Sequence, residues 1–265
     1  LWGAQQHLVG IERIYGPPGE TANILGGYLL FHMAIALGLL LFLQRPPSRV
    51  WLIVFLAVLT YPFVFTLSRG SYIALYGMVA FLGLVNNRRL LFLLVLLLAI
   101  TPFLTFPGPV MVRIASVYNI FYTVGAQLPS SFAAKLEAWE YYAGVIMTSP
   151  LLGKGLSYVA LGFIDNEYVK EAVETGLIGL LVFLLLIFFV FRTTWQVYVA
   201  TRHRFVKGLA LGFVAGLVGL LVHALVATSF TTIRTMEPFW FMTGIIVAMR
   251  GTLPKKALPK QRRSV

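Results

Sequence analysis

Seven uninterrupted apolar runs, each close to the roughly 20 residues that a helix needs to cross a bilayer, constrain this chain more than any motif in it. They fall near 22–43, 51–67, 71–86, 90–106, 173–192, 206–226 and 237–253. In hydrocarbon every backbone N–H and C=O must be satisfied internally, which leaves helices or closed barrels. Barrel strands alternate apolar and polar residues, whereas these runs are continuous. The expected fold is all-α: a polytopic transmembrane helical bundle of about seven spans. A composition 59% hydrophobic and 11% charged, with a mean hydropathy of +0.85, agrees.

The spacing of the runs predicts one membrane domain over 1–265, with a long extracytoplasmic loop at 107–172 and a basic tail at 254–265. The second and third runs, in contrast, are joined only by Leu67, Ser68, Arg69 and Gly70. Charge sets the orientation, because cytoplasmic loops retain Lys and Arg. One set of connections holds Arg45, Arg49, Arg88, Arg89, Arg192, Arg202, Arg204, Lys207, Arg250 and the tail cations Lys255, Lys256, Lys260, Arg262 and Arg263, with no acid among them. All nine acids lie in the other set, with Arg13, Arg69, Arg113, Lys135, Lys154, Lys170 and Arg234. The N-terminus and the long loop are therefore expected outside and the C-terminus in the cytoplasm.

The net charge of +12 sits in short pieces against membrane ends, where topology and contact with anionic membrane lipids explain it without nucleic acid. With no cysteine there is neither a disulfide framework nor thiol chemistry. His7, His32, His203 and His223 have no ligand-spaced partners, so no metal and no cofactor is expected. His32 and His223 fall within spans, where neutral, hydrogen-bonded helix packing is the ordinary role.

Polar residues at the outward end are the candidates for chemistry, because charge beside a membrane is expensive. Arg69 has two readings: an anchor snorkelling to the interface, or a planar guanidinium fork for a phosphate. In SSFAAKLEAWEYYAGVIMTSP, Ser130 or Ser131 can cap a helix that Pro150 stops. Lys135 and Trp139, four apart, share a face there; on periodicity alone the segment reads first as an interfacial amphipathic helix with an aromatic belt, and second as a substrate site. Arg113 can simply snorkel. In FIDNEYVKEAVETGLIGL, Asp165 or Asn166 can cap the fifth helix, with Glu167, Glu171 and Glu174 on one stripe that favours the helix dipole. Capping needs one side chain, and four carboxylates suggest a polar pocket in which one accepts a proton from a hydroxyl nucleophile.

RIYGPPGETANILGGYLL (13–30), TLSRGSYIAL (66–75), KLEAWEYYAGVIMTSPLLGKG (135–155) and DNEYVKEAVETGLIGLLVF (165–183) resemble, in order and style, the O-antigen ligase and O-antigen polymerase family. The resemblance implies a membrane glycosyltransferase of the bacterial inner membrane that uses a polyprenyl-diphosphate-linked glycan on the outer side. By position, Arg69 resembles the family's Ser-Arg-Gly arginine, which holds the diphosphate. Lys135 stands where an arginine usually precedes the tryptophan by four residues. Asp165 stands eleven residues before Gly176, where the ligases resemble a histidine followed by ten residues and glycine. Those three are the implied catalytic residues, with Arg13, Arg113, Trp139 and Arg234 implied in substrate binding.

Two departures qualify the resemblance. Lysine keeps the charge but not the bidentate fork, and Asp-Asn at 165–166 looks more like polymerase or general exopolysaccharide relatives than a ligase. Family members also have around ten or more spans, and this chain resembles their C-terminal part. The chain is then truncated, or completed by other membrane subunits, or a reduced protein that keeps the scaffold as a non-catalytic or transporter-like relative.

Overall fold

The computed structural model describes residues 14, 16, 21–86, 96, 130–161 and 164–253, without the side chains of 130–136, 160 and 161. Among these residues the regular elements are helical: α1 (Ala22–Phe42), α2 (Pro46–Phe65), α3 (Arg69–Val85), α4 (Ser130–Thr148), α5 (Glu167–Ala200), α6 (Arg204–His223) and α7 (Ile233–Thr252), with a 3-10 turn at Tyr158–Leu161. Four of them, α1, α2, α5 and α6, are long and apolar enough to cross a membrane. Six predicted spans thus coincide with helices, α3 being the shorter apolar one; the predicted span at 90–106 lies outside the described residues, apart from helical Leu96.

The bundle is built around α6, which packs against α1, α3 and α5 and is buried over most of its length. Lipid offers no hydrophobic drive for apolar helices to associate, so close backbone approach has to supply the contact. Gly208, Gly212 and Gly216, four residues apart, provide it: a Cβ on Gly212 would lie 2.7 Å from Ala34 O, and one on Gly38 of α1 would lie 2.4 Å from the Gly212 backbone. Above this seam Phe31, Phe213 and Phe239 stack in a fully buried cluster, with ring centroids 5.2 to 5.8 Å apart. By contrast α2 buries only Phe63 and turns Trp51, Val54, Val58 and Tyr61 outward, as a lipid-facing helix does.

Charge segregates to the two ends of the bundle. At one end Arg45, Arg49, Arg202, Arg204 and Arg250 flank helix termini, Arg204 donates to the Gln44 side chain, and Lys207 lies 5.3 Å from the centroid of the Tyr198 ring. The described acids collect at the other end.

The fifth element departs from expectation at its far end. It starts at Glu167, after one of the two expected caps, and its helical residues run to Ala200, eight past Arg192. At 1.5 Å per residue the stretch from Leu177 to Ala200 measures about 36 Å, somewhat over the hydrocarbon thickness. Arg192 is therefore an exposed position on the helix rather than its boundary. The helix is broken at Gly176 (φ 71°, ψ −176°), which separates a short outer segment from the membrane-length remainder.

Candidate functional site

Three connections meet at the acidic end: the α2–α3 turn, the stretch from α4 to α5, and the α6–α7 turn. In the first, the Thr66 hydroxyl donates to Phe63 O (2.7 Å) and accepts from Ser68 N (3.3 Å), which turns the chain sharply at Leu67, held at φ 48°. Ser68 then caps α3, its Oγ accepting from Ser71 N at 3.2 Å. Arg69 follows as the first residue of α3, half-buried, where the helix dipole and the guanidinium both favour an anion. A Cβ on Gly70 would lie 2.4 Å from a Val226 methyl, so this helix start abuts the α6–α7 turn.

The second connection is fixed by the break in α5. A broken helix exposes backbone groups that must find partners. Residues 150–155 supply them: Leu177 N donates to Pro150 O (2.8 Å), while Lys154 N and Gly155 N donate to Val173 O and Glu174 O (2.8 and 3.0 Å). Gly153 and Gly155 make the strap possible with φ of 71° and 97°. It leads through Leu156 and Ser157 to the 3-10 turn, whose Val159 packs with Tyr142 of α4, Ile164 and Val173 in a small core.

Between the start of α1, the stretch from α4 to α5 and the α6–α7 turn lies an open cleft of about 550 Å³. Its polar lining comes from Thr21, Asn23, Ser157, Asp165, Lys170, Glu174 and Thr228. Lys170 and Glu174 pair at 2.7 Å, so one wall carries a neutralised ion pair beside the Asp165 carboxylate. A second groove of about 280 Å³, between α1, α2 and α7, is apolar apart from His32, whose Nδ1 lies 2.8 Å from Tyr28 O. The polar cleft has several groups able to bind hydroxyls and move a proton, whereas the lining of the apolar groove offers the His32 imidazole alone.

The stripe of acids resolves into distinct roles. Asn166, not Asp165, caps α5: its Oδ1 accepts from Val169 N (3.1 Å), and its Nδ2 donates to Leu225 O (3.1 Å). Asp165 instead lines the cleft. Glu167 is fully buried; its backbone N donates to Ala224 O (2.9 Å) and its Oε2 accepts from Phe230 N (2.8 Å). It therefore holds both ends of the α6–α7 turn, the turn that brings Ala227 and Thr228 to the cleft. Among the described residues none meets hydrogen-bond geometry at its Oε1, although the Thr231 side chain interacts with the same carboxyl.

Of the residues singled out by sequence, Asp165 lines the cleft and Arg69 starts the helix against the turn that forms its wall. Arg234 is exposed in the first turn of α7, after that same connection. Trp139 is half-buried on α4, which meets α5 beside the small core. Lys135 lies on α4 with its side chain outside the described set, and Arg13 and Arg113 lie outside the described residues. Sequence reasoning undervalued Glu167 and His223, whose partners are up to 63 and 152 positions away.

A protein-family model described as O-Antigen ligase matches residues 54–184. No curated protein matches significantly. The matched region holds the second part of α2, all of α3 and α4, and α5 through its break, with three of the four quoted motifs. These helices make the chain an integral membrane protein, and over residues 54–184, just under half of its length, it is similar to the O-antigen ligase family.

Proposed function

We propose that the protein is a membrane glycosyltransferase that moves a glycan from a polyprenyl-diphosphate donor to a hydroxyl acceptor on the extracytoplasmic side. The observation that carries this reading is the α6–α7 turn, which lines the Asp165 cleft through Ala227 and Thr228 and touches the start of α3, beside Arg69, through Val226. An acceptor hydroxyl attacks the anomeric carbon of the donor and forms the new C–O bond. The bond to the diphosphate oxygen breaks, and the polyprenyl diphosphate leaves with the electron pair. Asp165 orients the hydroxyl and takes its proton. Arg69 neutralises the departing diphosphate as charge develops, with Lys135 as the second cation. Trp139 borders the glycan, while Arg13, Arg113 and Arg234 draw the anionic headgroup to the outward end.

Arg69→Ala should lower transfer roughly 10- to 100-fold, the worth of a charged hydrogen bond. Arg69→Lys should also transfer poorly, because an ammonium has no planar fork. The test is glycan transfer from a polyprenyl-diphosphate donor at matched membrane levels, with any missing N-terminal partner supplied. Full activity in Arg69→Lys would make the residue an interfacial anchor, and full activity in Arg69→Ala would remove it from the mechanism. Asp165→Asn should lose roughly 100-fold or more if the carboxylate is the base.

The side of the membrane has its own test. Cysteines introduced at Ser48 and Ser264 should be shielded from an impermeant thiol reagent in intact cells, and one at Ser130 should label. Labelling at Ser48 but not at Ser130 would invert the protein and move the cleft to the cytoplasm.

A further inference from the structure

His223 closes α6 and is 1% exposed, yet it lies between two elements of the candidate site. Its Nε2 is 3.1 Å from Ser71 Oγ on α3, and its Nδ1 is 2.7 Å from Ser229 Oγ in the α6–α7 turn. Ser71 in turn donates through Oγ (2.8 Å) and N (3.2 Å) to Ser68 Oγ, the cap of α3. With the Ser71 hydroxyl given to Ser68, the Nε2–H tautomer of a neutral imidazole completes the chain, Ser229 donating to Nδ1. Two glycines of α1 leave room for it. A Cβ on Gly26 would lie 2.0 Å from Ser71 Oγ, and one on Gly27 would lie 3.1 Å from the imidazole ring.

We infer that His223 is a positioning residue that couples the turn presenting Arg69 to the turn forming the wall beside Asp165, an inference that rests on the transferase reading above. The network fixes the cap immediately before Arg69 on one side. On the other it holds Ser229, next to Thr228 in the cleft and Phe230 at the Glu167 carboxylate. A buried polar group strongly prefers a geometry in which its hydrogen bonds are satisfied, so the bonds to Ser71 and Ser229 tie the spacing of the two turns to the imidazole. Simple helix glue would also use such bonds. It would alter stability without altering how a folded molecule binds the diphosphate.

The test measures binding of glycan-free polyprenyl diphosphate to detergent-purified, monodisperse protein, with donor KM and kcat alongside. His223→Phe should weaken diphosphate binding roughly tenfold and raise donor KM by a similar factor with a smaller effect on kcat. Ser71→Ala and Ser229→Ala, which remove one hydroxyl each and keep the fold if the phenylalanine does not, should each weaken binding roughly threefold. In an Arg69→Lys background His223→Phe should cost less than a further twofold, because it acts through Arg69. Wild-type binding in His223→Phe and in both serine variants, or a full additional tenfold loss in the Arg69→Lys background, would overturn the inference. Arg69→Ala separates the two claims. If it binds the diphosphate as well as wild type, the transferase reading of Arg69 falls as well; if it loses binding while the His223 and serine variants keep it, only the coupling falls.

Discussion

Gly176→Ala should abolish most glycan transfer and sharply reduce the yield of folded protein. Its φ of 71° and ψ of −176° lie in a region that is essentially closed to residues with a side chain. A Cβ there would also sit 2.2 Å from Leu151 O and 2.6 Å from Leu152 N, which are backbone atoms of the strap and have little freedom to yield. The two effects together should cost upwards of about 3 kcal/mol. The strap can escape only by releasing the bonds from Leu177 to Pro150 and from Lys154 to Val173, and Leu156 and Ser157 then leave the cleft. Size-exclusion profiles and thermal midpoints in detergent, together with transfer, would measure this. Gly144→Ala is the control: its Cβ would meet nothing within 4 Å on an exposed face of α4, so it should be neutral or gain up to about 1 kcal/mol of helix propensity. Equal behaviour of the two variants would mean that the break in α5 is not needed.

Gly212→Leu should be more severe still and leave no monodisperse protein. The seam between α1 and α6 has backbone against backbone at three levels, with prospective Cβ contacts of 2.4 Å at Gly38, 2.7 Å at Gly212 and 2.8 Å at Gly208. A leucine there would force the helices apart by several ångströms and open the Phe31 and Phe213 cluster above it. Because α6 also carries α3 and α5, the separation would spread through the bundle. Val218→Leu, at a half-buried position of the same helix, should fold. A folded Gly212→Leu protein would show that the close crossing is dispensable.

The helices and the division of charge were legible in the sequence because both are local: a run of apolar residues and the sign of a connection need no knowledge of distant partners. Boundaries were less so. Arg192 was read as a helix end because a cation there resembles a loop residue, yet an exposed arginine near the end of a span can reach water from within the helix. Asp165 and Asn166 are nearly equal as caps, and the choice fell to Asn166 because its amide also reaches Leu225, in another connection. The Gly208, Gly212 and Gly216 spacing was visible in the sequence as a small-residue motif of membrane helix pairs, but its partner on α1 was not. Glu167 read as one member of an acidic stripe, and only the return of α6 and α7 to its side makes it the clasp of a turn.

The central place of α6 has a consequence for biosynthesis. Both α1 and α3 depend on it for packing, but α3 ends at Val85 and α6 begins at Arg204. At about 5–20 residues per second, α1 and α3 wait roughly 6 to 24 s in the membrane before their main partner is made. During that interval Gly38 and the Ser71 hydroxyl face whatever surrounds them, and α1 and α3 touch each other only lightly. Assembly is thus completed from the late part of the chain, and a nascent protein stalled before α6 exposes a polar, glycine-lined face that membrane quality control can recognise.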